Sequence, residues 1–579
     1  AHVINMSLGG NIADYQPLND AVQRAADSGV FVVAAAGNYG AANPIYPANL
    51  ADNDSLAGMV VAVIAVDDAG NLAWFSNKCG SAKNNCIAAP GVSIETTREG
   101  AANASQTGSA SGTSLSAPHV SGALALLIQL YPDAYAADPT SITMFMFDGA
   151  LDLGDAGIDA TYGHGLLDVE GAIDTADLAL AAAIVPLSSG AGASLTDSSI
   201  VLSPSFGDAL GGLALLDSAI AVIQLSDGAH PYRARLDDRV SLAPVTSRLA
   251  AMLAGPGATT LGRPLGDDIS LAVAVSNDVS PATSAGELHG MQLTGSLGDA
   301  TDVRLGIDVT ARDRAAIAAG ASSLFPSAGD AVEPFAGLAG RGNSLGVDSS
   351  IGDRTTLSLV RFEGETEDLL AEGGGDSTRL DRLSLTRNFH SGGAVRLDLG
   401  LLGESGSLLG SQGSGAFTTE SGASTRYVTF SGGLPVGASL ELLGSATMAS
   451  TRIDNAAGGI LRDWDTAHSN AFSIGAISRD VFGEGDRLGL LVGQPLRIYD
   501  AEATLAVPVA LDGDGQATMQ SERVSLTPSG REVDIELAYD RKLAPGMVVS
   551  SWLLLRLEPG HVAGAGREMV AGMKFNVEF

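Results

Sequence analysis

Positive charge is scarce in this chain. Only 32 lysines and arginines stand against 66 acidic residues, a formal net charge of −34. No Lys/Arg run is present, and a phosphate-binding face needs a basic patch, which argues against nucleic acid as a partner. Such acidity suits a secreted protein that must stay soluble. Long apolar runs are absent as well. The longest candidate, near Leu178 to Leu187, falls far below the roughly 18 residues of a membrane helix. Cysteine is almost absent: Cys79 and Cys86 are the two present. With no accompanying His or Cys set, their spacing argues against zinc. Two readings stay open, a pair of buried thiols or a short-loop disulfide made in an oxidising compartment. The disulfide is the favoured one, and loop entropy makes it worth about 2.5 kcal/mol. The chain opens Ala1-His2-Val3, without an initiator methionine or a signal peptide and inside a strand-like run. It therefore reads as a fragment whose targeting segment lies upstream.

What is present is length, glycine and pattern. The 579 residues suggest about three or four domains, and 73 glycines with 45% hydrophobic residues describe a turn-rich globular chain. Residues 1 to about 185 alternate strand and helix. Val3 to Met6 is a short apolar run closed by Ser7-Leu8-Gly9-Gly10. Leu18, Ala21, Val22, Ala25 and Ala26 fall at helical spacing before Gly29, and Val30 to Ala36 and Val60 to Val66 read as buried strands. Strand–helix–strand units predict a parallel sheet with crossover helices. Ser188 to Ser194 is a Ser/Gly/Ala linker inside a junction region, 178–268, which holds one possible helix between Val240 and Leu253. From 269 to 579 period-2 alternation dominates, as in Val395, Leu397, Leu399 and Leu401 against Arg396, Asp398 and Gly400. This predicts an antiparallel all-β domain with one apolar and one polar face. The last run places Ala571, Met573, Phe575, Val577 and Phe579 on one face. A closing strand that ends on an aromatic is similar to that of outer-membrane β-barrels, and on the order of a dozen strands have barrel-spanning length. The sparse aromatics, 5% of the chain, count against a membrane barrel, whose alternative is a soluble sandwich or barrel.

The chemistry lies in Gly112 to Gly122, GTSLSAPHVSG. Serine is a poor nucleophile until a base takes its proton, and it gains from a helix N-terminus, where amides and dipole favour an oxyanion. Gly112 and Thr113 give a tight entry, and Ser114 opens a helix that runs through Leu115, Val120, Ala123, Leu124, Leu127, Ile128 and Tyr131 before Pro132. This run resembles the nucleophile motif of the subtilases, the subtilisin-like serine endopeptidases. Further motifs agree in order. Val3 to Gly10 matches the family's substrate-binding edge strand, where a peptide would pair with Ser7, Leu8 and Gly9 as an added strand. Val33-Ala34-Ala35-Ala36-Gly37-Asn38 matches the block whose Asn donates its amide to the oxyanion. Phe75-Ser76-Asn77 and Ala89-Pro90-Gly91-Val92 match strands leading toward the nucleophile, and Tyr162 to Asp168 matches the domain-closing segment. The resemblance covers residues 1–177 and implies an N-terminally truncated α/β catalytic domain.

In subtilases the triad order is Asp, His, Ser. The Asp and His motifs precede the strand with which this chain opens. None of the eight histidines suits the base: the resemblance makes His119 a buried packing residue, and His164 lies in the closing segment. The resemblance thus implies Ser114 as nucleophile and Asn38 as oxyanion donor, with the base and carboxylate upstream. It also implies a peptide or protein substrate and leaves calcium possible, without a traceable ligand set. Asp512-Gly513-Asp514-Gly515 lacks the downstream carboxylate of a calcium loop and reads as a hairpin turn. No other cofactor and no metal site is expected. A protease domain, a junction and a C-terminal barrel resemble the autotransporter serine proteases of Gram-negative bacteria. That layout implies the outer membrane and its barrel-assembly machinery as partners, with the protease secreted or at the cell surface. Two other readings are a catalytically inactive subtilase-fold scaffold for display or adhesion, and a translocator whose protease acts only on itself.

Overall fold

The computed structural model describes residues 1–10, 15–97, 107–226, 228–243, 258–264, 269–276, 288–310, 324–325, 333–366, 369–370, 376–390, 392–418, 422–453, 459–544 and 547–577. Its first unit is a parallel sheet of β1 (Val3–Met6), β2 (Phe31–Ala35), β3 (Val60–Val66) and β4 (Cys86–Pro90), in that order. β2 and β3 are buried from end to end because the sheet is covered on both faces. Val33, Ala35, Val61, Val63 and Ile87 point one way, into a core with Ala117, Val120, Leu124 and Leu127 of helix α2. Val32, Ala34, Val60, Ala62 and Ile64 point the other way, toward Val22 of helix α1. α1 (Gln16–Asp27) carries the chain from β1 to β2, and α2 (Thr113–Leu130) begins one residue before Ser114. Gly29, just past α1, takes φ 74°, a left-handed helix stop natural to glycine. A hairpin, β5 (Ile94–Thr97) with β6 (Thr107–Ala110), precedes α2. Pro132 ends α2 by starting α3 (Pro132–Ala137), and α4 (Thr140–Asp148) and α5 (Val169–Ala181) follow. The boundary expected after residue 177 falls inside α5.

The junction is a folded module. β7 (Ile184–Pro186), β8 (Gly192–Ser194), β9 (Ser199–Leu202), the short helix α6 (Ala214–Asp217), β10 (Ile220–Leu225), β11 (Gly228–Arg233) and β12 (Val240–Leu242) build it. The Ser/Gly/Ala stretch expected to be a linker is the tip and second strand of the β7–β8 hairpin. Where a helix was expected from Val240, the chain forms β12; the rest of that run, 244–253, lies outside the described residues.

The second half is a 15-stranded sheet running from Ala258–Pro264 to Arg567–Val577, with antiparallel neighbours throughout. Its strands begin before residue 269. Among the described residues the first and last strands are not paired with each other. Phe579 lies outside the described residues. The connections differ sharply by end. One end has the tight turns 297–300, 351–354, 389–393, 437–439 and 480–486; the other has 311–340, 366–376, 405–422, 501–532 and 558–566.

The faces of this sheet are inverted relative to a soluble protein. On one strand, Ala394–Glu404, Arg396 and Asp398 are buried while Leu397, Leu399 and Leu401 are 39–50% exposed. The same holds for buried Thr429 and Thr447 beside exposed Phe430 and Met448, and for Met569, Met573 and Phe575, all more than 60% exposed on the last strand. Buried polar groups need partners. Many have them in cross-strand hydroxyl pairs, Thr425–Thr451 at 2.9 Å, Thr429–Thr447 at 2.8 Å and Ser445–Ser473 at 2.7 Å. Ion pairs serve others: Arg556 meets Glu532 and Glu568, and Arg396 meets Asp398 at 2.8 Å. Glu333, from the connection between Thr301–Thr310 and Arg341–Ser350, lies between Arg382 and Arg396.

Candidate active site

The site forms where the C-terminal ends of β1 and β2 meet the start of α2. Gly112 precedes this helix and has no side chain to cap it. The cap comes from across the sheet. Asn38, just beyond β2, accepts with Oδ1 from the Thr113 amide at 2.9 Å and from the Thr113 hydroxyl at 3.0 Å. Thr113 Oγ1 in turn accepts from the Gly37 amide at 3.2 Å. This clamp fixes the Asn38 amide plane. Nδ2, with no hydrogen-bond partner among the described residues, remains as a donor on an exposed side chain. A Cβ at Gly112 would stand 3.3 Å from that nitrogen, so glycine keeps the approach open.

Ser114 is half-buried in the first helical turn, where backbone amides have no intrahelical acceptor. Its carbonyl accepts from Ser7 Oγ at 2.7 Å, which ties β1's exit to the first turn of α2. Leu8 and Gly9 are exposed beside it. The turn is held from below: the Gly112 amide donates to the Gly91 carbonyl at 2.8 Å, and Ser116 Oγ to the Pro90 carbonyl at 3.2 Å. The loop that carries Asn38 has its own anchor in Asn77, fully buried. Its Oδ1 accepts from the amides of Tyr39 and Ala41, and its Nδ2 donates to the Ala36 carbonyl at 2.9 Å. Gly37 takes φ 107°, and a Cβ there would come within 2.8 Å of Asn77 Nδ2. Phe75-Ser76-Asn77 is thus an irregular bridge, not the expected strand: its work requires side chains aimed at backbone groups, which a ladder would pull away. Cys79 and Cys86, both fully buried, are joined across a short helical turn with Cα atoms 5.7 Å apart, close to where that bridge ends.

The histidines of this region all have other partners. His2 Nδ1 lies 3.0 Å from Tyr135 Oη, and His119 Nδ1 lies 2.8 Å from the Leu115 carbonyl. His164 bonds the Asn84 carbonyl at 2.9 Å and stacks on Phe147; burial holds its pKa below the ordinary value, so it is neutral near pH 7. His119 is exposed, contrary to the packing role expected of it. It shares the outward side of α2 with Pro118, Leu126 and Leu130, which no described segment covers. Asp512 uses its carboxylate within its own turn, accepting from the Asp514 and Gln516 amides. Among the described residues no cluster of His, Cys, Asp and Glu could hold a metal ion. Thr113 as the residue that orients Asn38, and Asn77 as the loop anchor, escaped sequence reasoning, although both lie inside the motifs that it singled out.

Residues 1–165 match the subtilase family. The same region is 40% identical to subtilisin DY of Bacillus licheniformis over 174 residues, 29% of this chain and 56% of that protein. It is 37% identical to subtilisin BL of Lederbergia lenta over 171 residues, 30% of this chain and 56% of that one. It is 34% identical to serotype-specific antigen 1 of Mannheimia haemolytica over 164 residues, 28% of this chain and 17% of that protein. Among solved structures, the patellamide maturation protease PatA is 33% identical, with 30% of this chain and 61% of that chain covered and a TM-score of 0.25. The N-terminal unit is therefore similar to part of the subtilases, and the chain spans about half the length of the subtilisins that it matches.

Proposed function

We propose that this chain is the nucleophile-bearing part of a subtilisin-like serine endopeptidase that a membrane barrel displays at the cell surface. The single observation that carries the enzymatic half is the clamp of Thr113 on Asn38. It leaves one uncharged donor, Asn38 Nδ2, free at the start of the helix that carries Ser114. An extended peptide lies along Ser7 to Gly9, and Ser114 Oγ attacks its carbonyl carbon. The oxyanion is held by Asn38 Nδ2 and the Ser114 N–H, the amine leaves with a proton, and water releases the acyl group. The proton of Ser114 goes to a base that the described histidines do not supply. We assign it to polypeptide that packs on the uncovered face of α2 and the free edge of β1, where Ile4 is 41% exposed.

For the second half, the inverted sheet supports an outer-membrane barrel. Apolar residues outward, paired polar groups inward, tight turns at one end and long connections at the other are the pattern of such barrels. The outer membrane and its assembly machinery are then partners of this half. An inactive display scaffold is the alternative reading; what favours it is that no described histidine faces Ser114.

Peptide hydrolysis by the natural full-length product tests the enzymatic half. Asn38→Ala is expected to lower kcat by about 10²–10³, a scale measured in this same family, with KM little changed. An equal loss in KM alone would show that Asn38 only binds substrate.

A further inference from the structure

The junction touches both halves of the molecule. Toward the α/β unit, Ser226 Oγ donates to Asp148 Oδ1 at 2.6 Å, at the end of α4. His230, buried on β11, meets Asp138 Oδ2 at 3.0 Å, and Arg235 donates to Asp133 Oδ1 at 2.7 Å. Toward the 15-stranded sheet, β9 pairs with Ser411–Ser414 of one long connection, Gln412 against Val201. The Ala416 amide donates to Ser198 Oγ at 2.9 Å, the Ile498 amide to the Ser205 carbonyl at 3.1 Å, and Ser529 Oγ to Asp208 at 2.6 Å. One apolar core runs without a break through all three parts: Phe145 and Ala176 of the α/β unit, Leu216 and Ile223 of the junction, Phe417 and Val507 of the long connections.

We propose that residues 184–243 are an intramolecular dock, which keeps the α/β unit seated at the long-connection end of the sheet even when the chain between them is cut. A continuous apolar core of this kind is the mark of permanent, not transient, association. Covalent linkage through 187–191 is then dispensable for retention. The dock separates two fates that the chain's layout alone leaves open, display and release, and it selects display. It rests on the barrel half of the proposed function and not on the reactivity of Ser114, so it and the enzymatic half fail independently.

The test cuts the purified, detergent-solubilised full chain. The tip of the β7–β8 hairpin accepts an inserted recognition site for a sequence-specific protease: Gly190 is exposed, with φ 80° and open space around it. After cleavage, the two fragments are expected to co-elute in size-exclusion chromatography at the volume of the uncut chain and to part only in denaturant. Immediate separation in native buffer, with the circular dichroism of both fragments intact, would overturn the proposal. His230→Ala in the cut chain is expected to speed dissociation about tenfold. A second experiment avoids the insertion. Asp148→Cys with Ser226→Cys should form a crosslink on mild oxidation, seen as a mobility shift on a non-reducing gel; failure to crosslink in the folded chain would contradict the docked geometry.

Discussion

The two halves of this molecule solve burial in opposite ways. In the α/β unit, β3 hides Val60 to Val66 completely, and the polar groups that are buried, Asn77 and Thr113 among them, bind backbone to shape the corner where β1, β2 and α2 meet. In the 15-stranded sheet, the side chains hidden are Arg396, Asp398, Thr429 and Arg556, while Leu399, Met448 and Phe575 face outward. The first arrangement suits a surface that meets water. The second suits the barrel reading proposed above, with an apolar surround and a polar interior. The difference teaches that alternation specifies two faces, and that the surroundings decide which of them turns inward.

That contrast can be broken most forcefully from the inside of the sheet. Glu333→Gln leaves Arg382 and Arg396 facing each other without their shared carboxylate, and removing one partner of a buried ion pair costs about 3–5 kcal/mol. Thermal unfolding in detergent should show the loss; an unchanged midpoint would mean that the polar interior is hydrated and open. The outer face comes next. Leu399→Arg puts a charge on the apolar side near the middle of a strand, at a cost of about 2–4 kcal/mol if that side meets lipid. Insertion into vesicles should drop accordingly, whereas a sheet surrounded by water would tolerate the change.

The smallest effect tests the seam between the halves. Burial alone would raise the Asp138 carboxyl, but hydrogen bonds from His230 and from the hydroxyl and amide of Thr140 outweigh it and hold the group below its ordinary 3.8. A depressed carboxylate stabilises the folded state above about pH 4, and this contribution is lost as pH falls through the folded value. Dissociation of the cut chain should therefore accelerate as the pH falls below about 4, and Asp138→Asn should remove that acid limb. An acceleration already at pH 6 would point to another group.

Much of the α/β unit was legible in the chain itself. The apolar run Val60 to Val66 coincides with β3, and the helix expected after Ser114 coincides with α2, because short continuous runs and i, i+3, i+4 spacing are local signals. The Gly112 to Gly122 run stood out by its resemblance to a known motif, and it falls at the start of that helix. The clamp was not legible: Asn38 and Thr113 lie far apart in sequence, and which of them orients the other depends on the end of β2 meeting the start of α2. The junction was misread as partly linker because strands such as Ile184–Pro186 and Gly192–Ser194 are too short to show a period, and their core is lent by distant segments. In the second half the strands and their alternation were legible, and the closing run pointed to apolar residues outward; the pairing of Arg396 with Asp398, two residues apart on one polar face, was not read from the sequence.

The central claim is that Ser114 is the nucleophile of a peptidase. It is tested most directly by peptide hydrolysis with the natural full-length product and its Ser114→Ala variant. The account predicts an active parent and a variant slowed about 10⁶-fold, the scale that subtilisin sets for loss of its nucleophile. A parent without activity, or a variant that keeps it, would contradict the account and leave the subtilase fold as a displayed scaffold.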